Sequence, residues 1–145
     1  MATTAAMNLN SDLMTGSLSA SANSTLMKAR TTADGLDQMR MGYNKIPTGT
    51  SFNLLDATTA GIDKAAKVYI CNESEDETEY AIVKVSGNVI GKLYAGDFLW
   101  MPWSMAEDAD SDNKHADIQL TPSVATGMWF SWCMVNEGTE YPTSV

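Results

Sequence analysis

Basic residues are scarce: nine Lys and Arg stand against 18 Asp and Glu, and there is one histidine. Phosphate binding draws its affinity from clustered Lys and Arg. With a net charge of -9 and no basic cluster in the sequence, nucleic acid is not the expected partner. Cysteine is scarce too. Cys71 and Cys133 lie inside the apolar runs VYIC and WFSWCMV, where buried free thiols are usual. A disulfide between adjacent strands is the alternative, but two cysteines do not make a disulfide framework. No apolar run approaches the roughly 18 residues of a membrane span, so no membrane role is expected. The stretch MATTAAMNLNSDLMTGSLSA lacks the basic start and unbroken apolar segment of a secretory signal. The expectation is a chain made in a cytoplasm and soluble until it meets its partner.

Aromatic residues are missing from the first 42 positions, where Ala, Thr, Ser, Asn and Met predominate. Such a segment cannot bury enough surface to fold alone. It carries isolated apolar residues, Leu9, Leu13, Leu18 and Leu26 among them, and these are the candidate anchors of an arm that orders on a partner subunit. Disorder is the competing reading. The sequence STLMKARTTADGLDQMRM (24–41) allows a short helix or two, with Ser24 as a cap, Gly35 as a break, and Leu36, Met39 and Tyr43 on one face. Ile46-Pro47-Thr48-Gly49 reads as a turn. The expected division is therefore an arm over 1–45 and a body over 46–145. Residues 1–50 are slightly basic, with Lys28, Arg30, Arg40 and Lys45 against Asp12, Asp34 and Asp37, so the acidity belongs to the rest.

After the turn the pattern becomes short β-type segments separated by turn residues, the mark of an antiparallel sandwich or barrel. Strands are expected near 51–55, 67–72, 79–85, 89–94, 97–101, 117–120 and 128–136. KVYICN and EYAIVKV flank the acidic loop ESEDET and read as a hairpin, and Ser86-Gly87-Asn88 as a second turn. EYAIVKV is apolar on both faces and so expected in a central position. WFSWCMV is two-sided as well, which suggests a sheet with one face on the core and the other against another subunit. The fold class is mainly β: an antiparallel β-sandwich or barrel-like body with an extended, partly helical N-terminal arm.

Material for chemistry is thin. His115 sits in the polar string DSDNKHAD without a nucleophile signature and reads as a solvated loop residue. Residues 107–113 repeat oxygen-bearing side chains at alternate positions in the manner of a calcium loop. Counted from Asp108, however, Asn113 replaces the turn glycine and Gln119 the bidentate glutamate. Glu73, Glu75, Asp76, Glu77 and Glu79 read as solvated charges that protect a sheet edge. No catalytic, cofactor-binding or metal-ligating residue is assigned, no cofactor is expected, and the chain is not expected to be an enzyme. Phe98, Trp100 and Trp103 form the most distinctive aromatic segment. Core filling, subunit contact and ligand platform all remain open for them, and ten methionines add to the contact reading.

The passages KVYICNES, EYAIVKV and GKLYAGDFLWMPW, over about residues 50–135, resemble the small virion proteins of tailed bacteriophages, especially capsid decoration or cement proteins. The resemblance implies a homo-oligomer, trimer or dimer, seated on the major capsid protein or other virion subunits and stiffening the shell with its arm. It transfers no residue role, and it implies a virion location after synthesis in the host cytoplasm. A tail, fibre-base or connector protein is the nearest alternative. A carbohydrate- or ligand-binding β-sandwich, stacking its ligand on Trp100, Trp103, Trp129 or Trp132 with calcium at 108–112, is the second.

Overall fold

Alternate burial along the chain is the physical basis of the body, because successive side chains of a strand point to opposite faces. The computed structural model describes residues 4–11, 18–25, 38–47, 51–56, 66–103 and 117–136, and all regular structure among them is strand. In order these are β1 (Thr4–Ser11), β2 (Leu18–Thr25), β3 (Gln38–Ile46), β4 (Phe52–Leu55), β5 (Ala66–Asn72), β6 (Tyr80–Val85), β7 (Asn88–Tyr94), β8 (Phe98–Trp103), β9 (Ile118–Pro122) and β10 (Met128–Asn136). In β5 every second residue from Ala66 to Asn72 is buried, and β9 repeats the pattern at Ile118, Leu120 and Pro122.

Eight strands form two four-stranded antiparallel sheets, ordered β3-β10-β5-β8 and β4-β9-β6-β7; β1 and β2 pair with each other as a separate antiparallel hairpin. Val68, Ile70, Phe130 and Met134 of the first sheet meet Val83, Leu93, Ile118 and Leu120 of the second in one buried cluster. From β3 onward the chain changes sheet at every connection except β6 to β7. That strand order is a jelly roll, the double-sheet solution in which two Greek keys close over a single core.

The β6–β7 connection is the turn expected at Ser86-Gly87-Asn88. Ser86 (φ 50°) and Gly87 (φ 77°) both take the left-handed conformation that a tight hairpin of right-twisted strands needs. EYAIVKV is central as expected, with β6 between β9 and β7.

Two expectations fail. KVYICN and EYAIVKV do not pair: β5 and β6 lie in different sheets. After β5 the chain is held by Asn72 N–H donating to the Asp97 carbonyl (2.9 Å) and Glu73 N–H donating to Trp129 (3.0 Å), which carry it across the end of the core. The other failure concerns residues 38–41, read as the end of a helix. They begin β3, which pairs along its whole length with β10, so the first sheet takes in Gln38–Ile46, placed by the sequence reading almost wholly in the arm. Tertiary packing decides this: a Cβ at position 42 would lie 2.5 Å from Trp132 Nε1, so Gly42 lets the indole lie flat against β3. The remainder of the expected helix, 26–37, is outside the described residues.

Candidate functional site

The inward rows of β3-β10-β5-β8 build the core, and the register fixes what faces outward. Cross-strand partners share a face, so Met39, Met41, Tyr43 and Lys45 of β3 line up with Val135, Cys133, Ser131 and Trp129 of β10. Beyond them Tyr69 and Cys71 of β5 meet Trp100 and Phe98 of β8. Four of the large apolar side chains here are more than half exposed: Met39 (59%), Met41 (67%), Tyr43 (59%) and Phe98 (52%); Trp129 is close behind at 44%. Scattered exposed apolar residues are ordinary, but a contiguous apolar face marks an interaction site.

Ring contacts organise that face. Tyr43 stacks on Trp129 with centroids 4.8 Å apart and planes 12° from parallel, and Tyr69 lies 5.8 Å from Phe98. Between these pairs Met41, Gly42, Tyr43, Tyr69, Ser131, Trp132 and Cys133 line an open apolar depression of about 400 Å³. At its rim Ser131 Oγ donates to Glu73. Burial among apolar neighbours pushes the Cys71 and Cys133 thiols above the ordinary range, and the Tyr69 hydroxyl likewise, with Cys71 adding to the Tyr69 shift.

These shifts fix the sign of a pH effect. All three groups are favoured in their protonated forms by the fold, so the stability they contribute is complete below the thiol's ordinary pKa of 9.0 and is lost as pH rises through the raised folded values. The thermal midpoint is expected to be flat with pH just below 9 and to fall above it, more steeply in the wild type than in Cys71→Ser/Cys133→Ser. Melting curves across that range check it.

The outer face of β4-β9-β6-β7 carries a network of polar side chains. Gln119 Nε2 donates to Asn53 Oδ1 (2.8 Å), Asn53 Nδ2 to Asp117 (3.1 Å), Lys84 Nζ to Ser51 Oγ (3.0 Å), and the Ser51 and Thr121 hydroxyls bond at 3.1 Å. Lys92 covers the Tyr80 ring at 4.2 Å. Exposed apolar side chains accompany them on this sheet, Val89 (63%), Ile90 (53%) and Tyr94 of β7 and Phe52 of β4, so this sheet mixes bonded polar groups with apolar ones.

The acidic loop 73–79 bonds within itself: Ser74 Oγ donates to Glu79, and Asp76 Oδ1 accepts from both the N–H (2.9 Å) and the hydroxyl (2.7 Å) of Thr78, which lowers the Asp76 pKa. Among the described residues no group of three His, Cys, Asp or Glu side chains is placed to hold a metal ion. No family model, curated protein or solved structure matches the chain. Its fold and this face therefore carry the functional argument by themselves.

Of the residues singled out in the sequence, Phe98 and Trp100 lie on the apolar outer face. Trp103 does not join them; it is 2% exposed, opposite Ala66 in the core. Trp132 also points inward, with its indole N–H donating to Asn44 Oδ1 (2.8 Å). Leu9 pairs with Ala20 and Leu18 with Ser11 in the β1–β2 hairpin. Leu13, Leu26, His115 and the 107–113 string fall outside the described residues. Met39 and Tyr43, expected on one face of a helix with Leu36, instead share a strand face with Met41; their i, i+2, i+4 spacing in QMRMGY carries that signal.

Proposed function

We propose that the chain is a structural subunit whose apolar β3-β10-β5-β8 face seats against another protein, and that its setting is a virion, where it acts as a capsid decoration or cement protein. The observation that carries the contact reading is the exposure of Met39, Met41, Tyr43, Phe98 and Trp129 together on one side of a sheet, where ring contacts and an open apolar depression join them. Aromatic and Met side chains are the residue types enriched at the buried centres of protein interfaces. The jelly-roll order supports the virion setting by analogy only, since viral capsid domains share it with lectins and cupins.

The alternative of a tail, fibre-base or connector protein uses the same face and differs in copy number. The sugar- or ligand-binding alternative is weakened by position. Trp103 is in the core, Trp132 is committed to Asn44, and one face of Trp129 is covered by Tyr43, which leaves Trp100 as the remaining platform of the four tryptophans.

Quantitative mass spectrometry of purified particles, with the shell protein as internal standard, tests the setting. Hundreds of copies per particle are expected of a decoration protein. A few to dozens would move the chain to the tail, and absence from particles would overturn the virion reading while leaving the contact face to be tested separately.

A further inference from the structure

The outward side chains of the first sheet are uneven in size. On β10 the small Ser131 stands between Tyr43 of β3 and Cys71 of β5, and the small Cys133 between Met41 and Tyr69. Strands β3 and β5 flank β10 at one strand spacing each, so their side chains stand about 10 Å apart. Ser131 and Cys133 are therefore the floor of the apolar depression, and Met41, Tyr43 and Tyr69 are its walls. That width admits one unbranched side chain lying between aromatic rings.

Charge enters at one end. Glu73 follows β5, its N–H donating to the Trp129 carbonyl (3.0 Å) and its carboxylate accepting from Ser131 Oγ in the floor. Beyond it the 73–79 loop carries Glu75, Asp76, Glu77 and Glu79 with no Lys or Arg. Asp97 stands beside the end of β5, where its carbonyl accepts from Asn72 N–H (2.9 Å). All of these acidic residues except Glu79 are exposed. Lys45, opposite Trp129, brings one positive charge to the same end.

We infer, on the contact-face reading above, that the depression receives an arginine side chain from a basic segment of a different protein, with its guanidinium at Glu73 and its neighbours along the 73–79 loop. A long cationic side chain can lay its aliphatic stem on apolar walls while its head stays at a polar rim. Arginine fits better than lysine, because the planar guanidinium stacks on aromatic rings and pairs with a carboxylate in the same pose. The bond from Ser131 holds the Glu73 carboxylate at the rim, so little ordering is left for the moment of binding. Net charge selects against a second copy: two chains at -9 each repel, whereas a basic partner is drawn in and oriented by the acidic end.

Two fluorescent peptides test this on the full-length chain by anisotropy, one alternating Leu with Arg and the other Leu with Glu. The Arg peptide is expected to bind and the Glu peptide to bind far more weakly. Glu73→Gln should weaken the Arg peptide roughly tenfold, the loss of one charged hydrogen bond, and Met41→Lys should abolish its binding. Saturating Arg peptide should also slow iodoacetamide labelling of Cys133, which lines the depression.

The other outcomes separate this inference from the reading beneath it. Equal binding of both peptides, lost in Met41→Lys, overturns the arginine seat and keeps the contact face. Arg-peptide binding that leaves Cys133 labelling unchanged puts the peptide on the acidic loop alone and overturns the seat, as does no binding of either peptide. Sedimentation velocity showing self-association that Met41→Lys abolishes and Glu73→Gln spares would give the face to a second copy instead.

Discussion

Phe130→Ala is expected to cost about 3–5 kcal/mol, the usual range for emptying a packed phenylalanine site, whereas Trp129→Ala, one residue earlier, should cost no more than about 1.5 kcal/mol. Phe130 is 0% exposed, the third residue of β10, and belongs to the core shared by both sheets. Removing its ring leaves a cavity whose walls come from rigid strands and collapse poorly. Trp129 faces outward at 44% exposure and its described ring contact is the stack on Tyr43, an interaction worth about 0.5–1.5 kcal/mol. Urea titrations of the two variants measure the difference directly. A larger loss for Trp129→Ala would mean that the inner and outer faces of β10 have been interchanged.

The second large effect is at Asn72, the one buried polar residue among the described positions. Its side-chain amide donates to the Leu93 carbonyl (3.2 Å) and its side-chain oxygen accepts from Ser74 N–H (3.0 Å). Its backbone carbonyl receives Gly96 N–H (2.9 Å). One residue thus joins the end of β5 to β7 in the facing sheet and to the β7–β8 turn, where the chain changes sheet. Asn72→Leu keeps the branched side-chain skeleton, with bulkier methyl groups in place of the amide, and strips both side-chain bonds. Each buried group left without a partner costs about 1–3 kcal/mol, so a total of about 2–6 kcal/mol is expected for the two, and the midpoint falls by about 2–4 °C for each kcal/mol.

Asn72→Asp discriminates further. A carboxylate would face the Leu93 carbonyl oxygen and sit out of water, and both effects raise its folded pKa above the ordinary value near 3.9. With the protonated form favoured in the fold, the variant is nearest to wild-type stability below that value and loses stability as pH rises through the folded pKa. A thermal shift relative to wild type that does not change between pH 4 and pH 7 would contradict the buried, bonded placement of this side chain.

Seven strands of the body were legible because each combines a short apolar run with turn residues at its ends, and Met128–Asn136 was found to the residue. The third strand was not, for a reason visible in its spacing: Met39 and Tyr43 are four apart, which puts them on one face of a helix and equally on one face of a strand. Only the indole of Trp132 lying over Gly42 chooses between the two. The hairpin misread between β5 and β6 has a similar origin, because two apolar runs around an acidic turn look alike whether they pair or cross to the facing sheet. What selects the crossing is the anchoring of Asn72 and Glu73 by Asp97 and Trp129, contacts far away in sequence.

The candidate site was half legible. The two-sided pattern of WFSWCMV pointed to an outward apolar face. Grouping Phe98, Trp100 and Trp103 as one segment, however, ignored parity, since 98 and 100 share a face that 103 does not, and burial follows parity. That four strands, β3, β10, β5 and β8, place their outward residues on one surface is a property of strand order, which no local window contains.

The central claim is that this surface is a protein contact, and thiol footprinting addresses it most directly. Cys71 and Cys133 both lie on it and are half-buried and unoxidised. Iodoacetamide labelling rates for each are measured by mass spectrometry in the dilute chain and in its assembled state, at one pH. Covered thiols should label at least tenfold more slowly in the assembly. Equal rates in the two states would show that the β3-β10-β5-β8 face stays open to solvent and would contradict the claim.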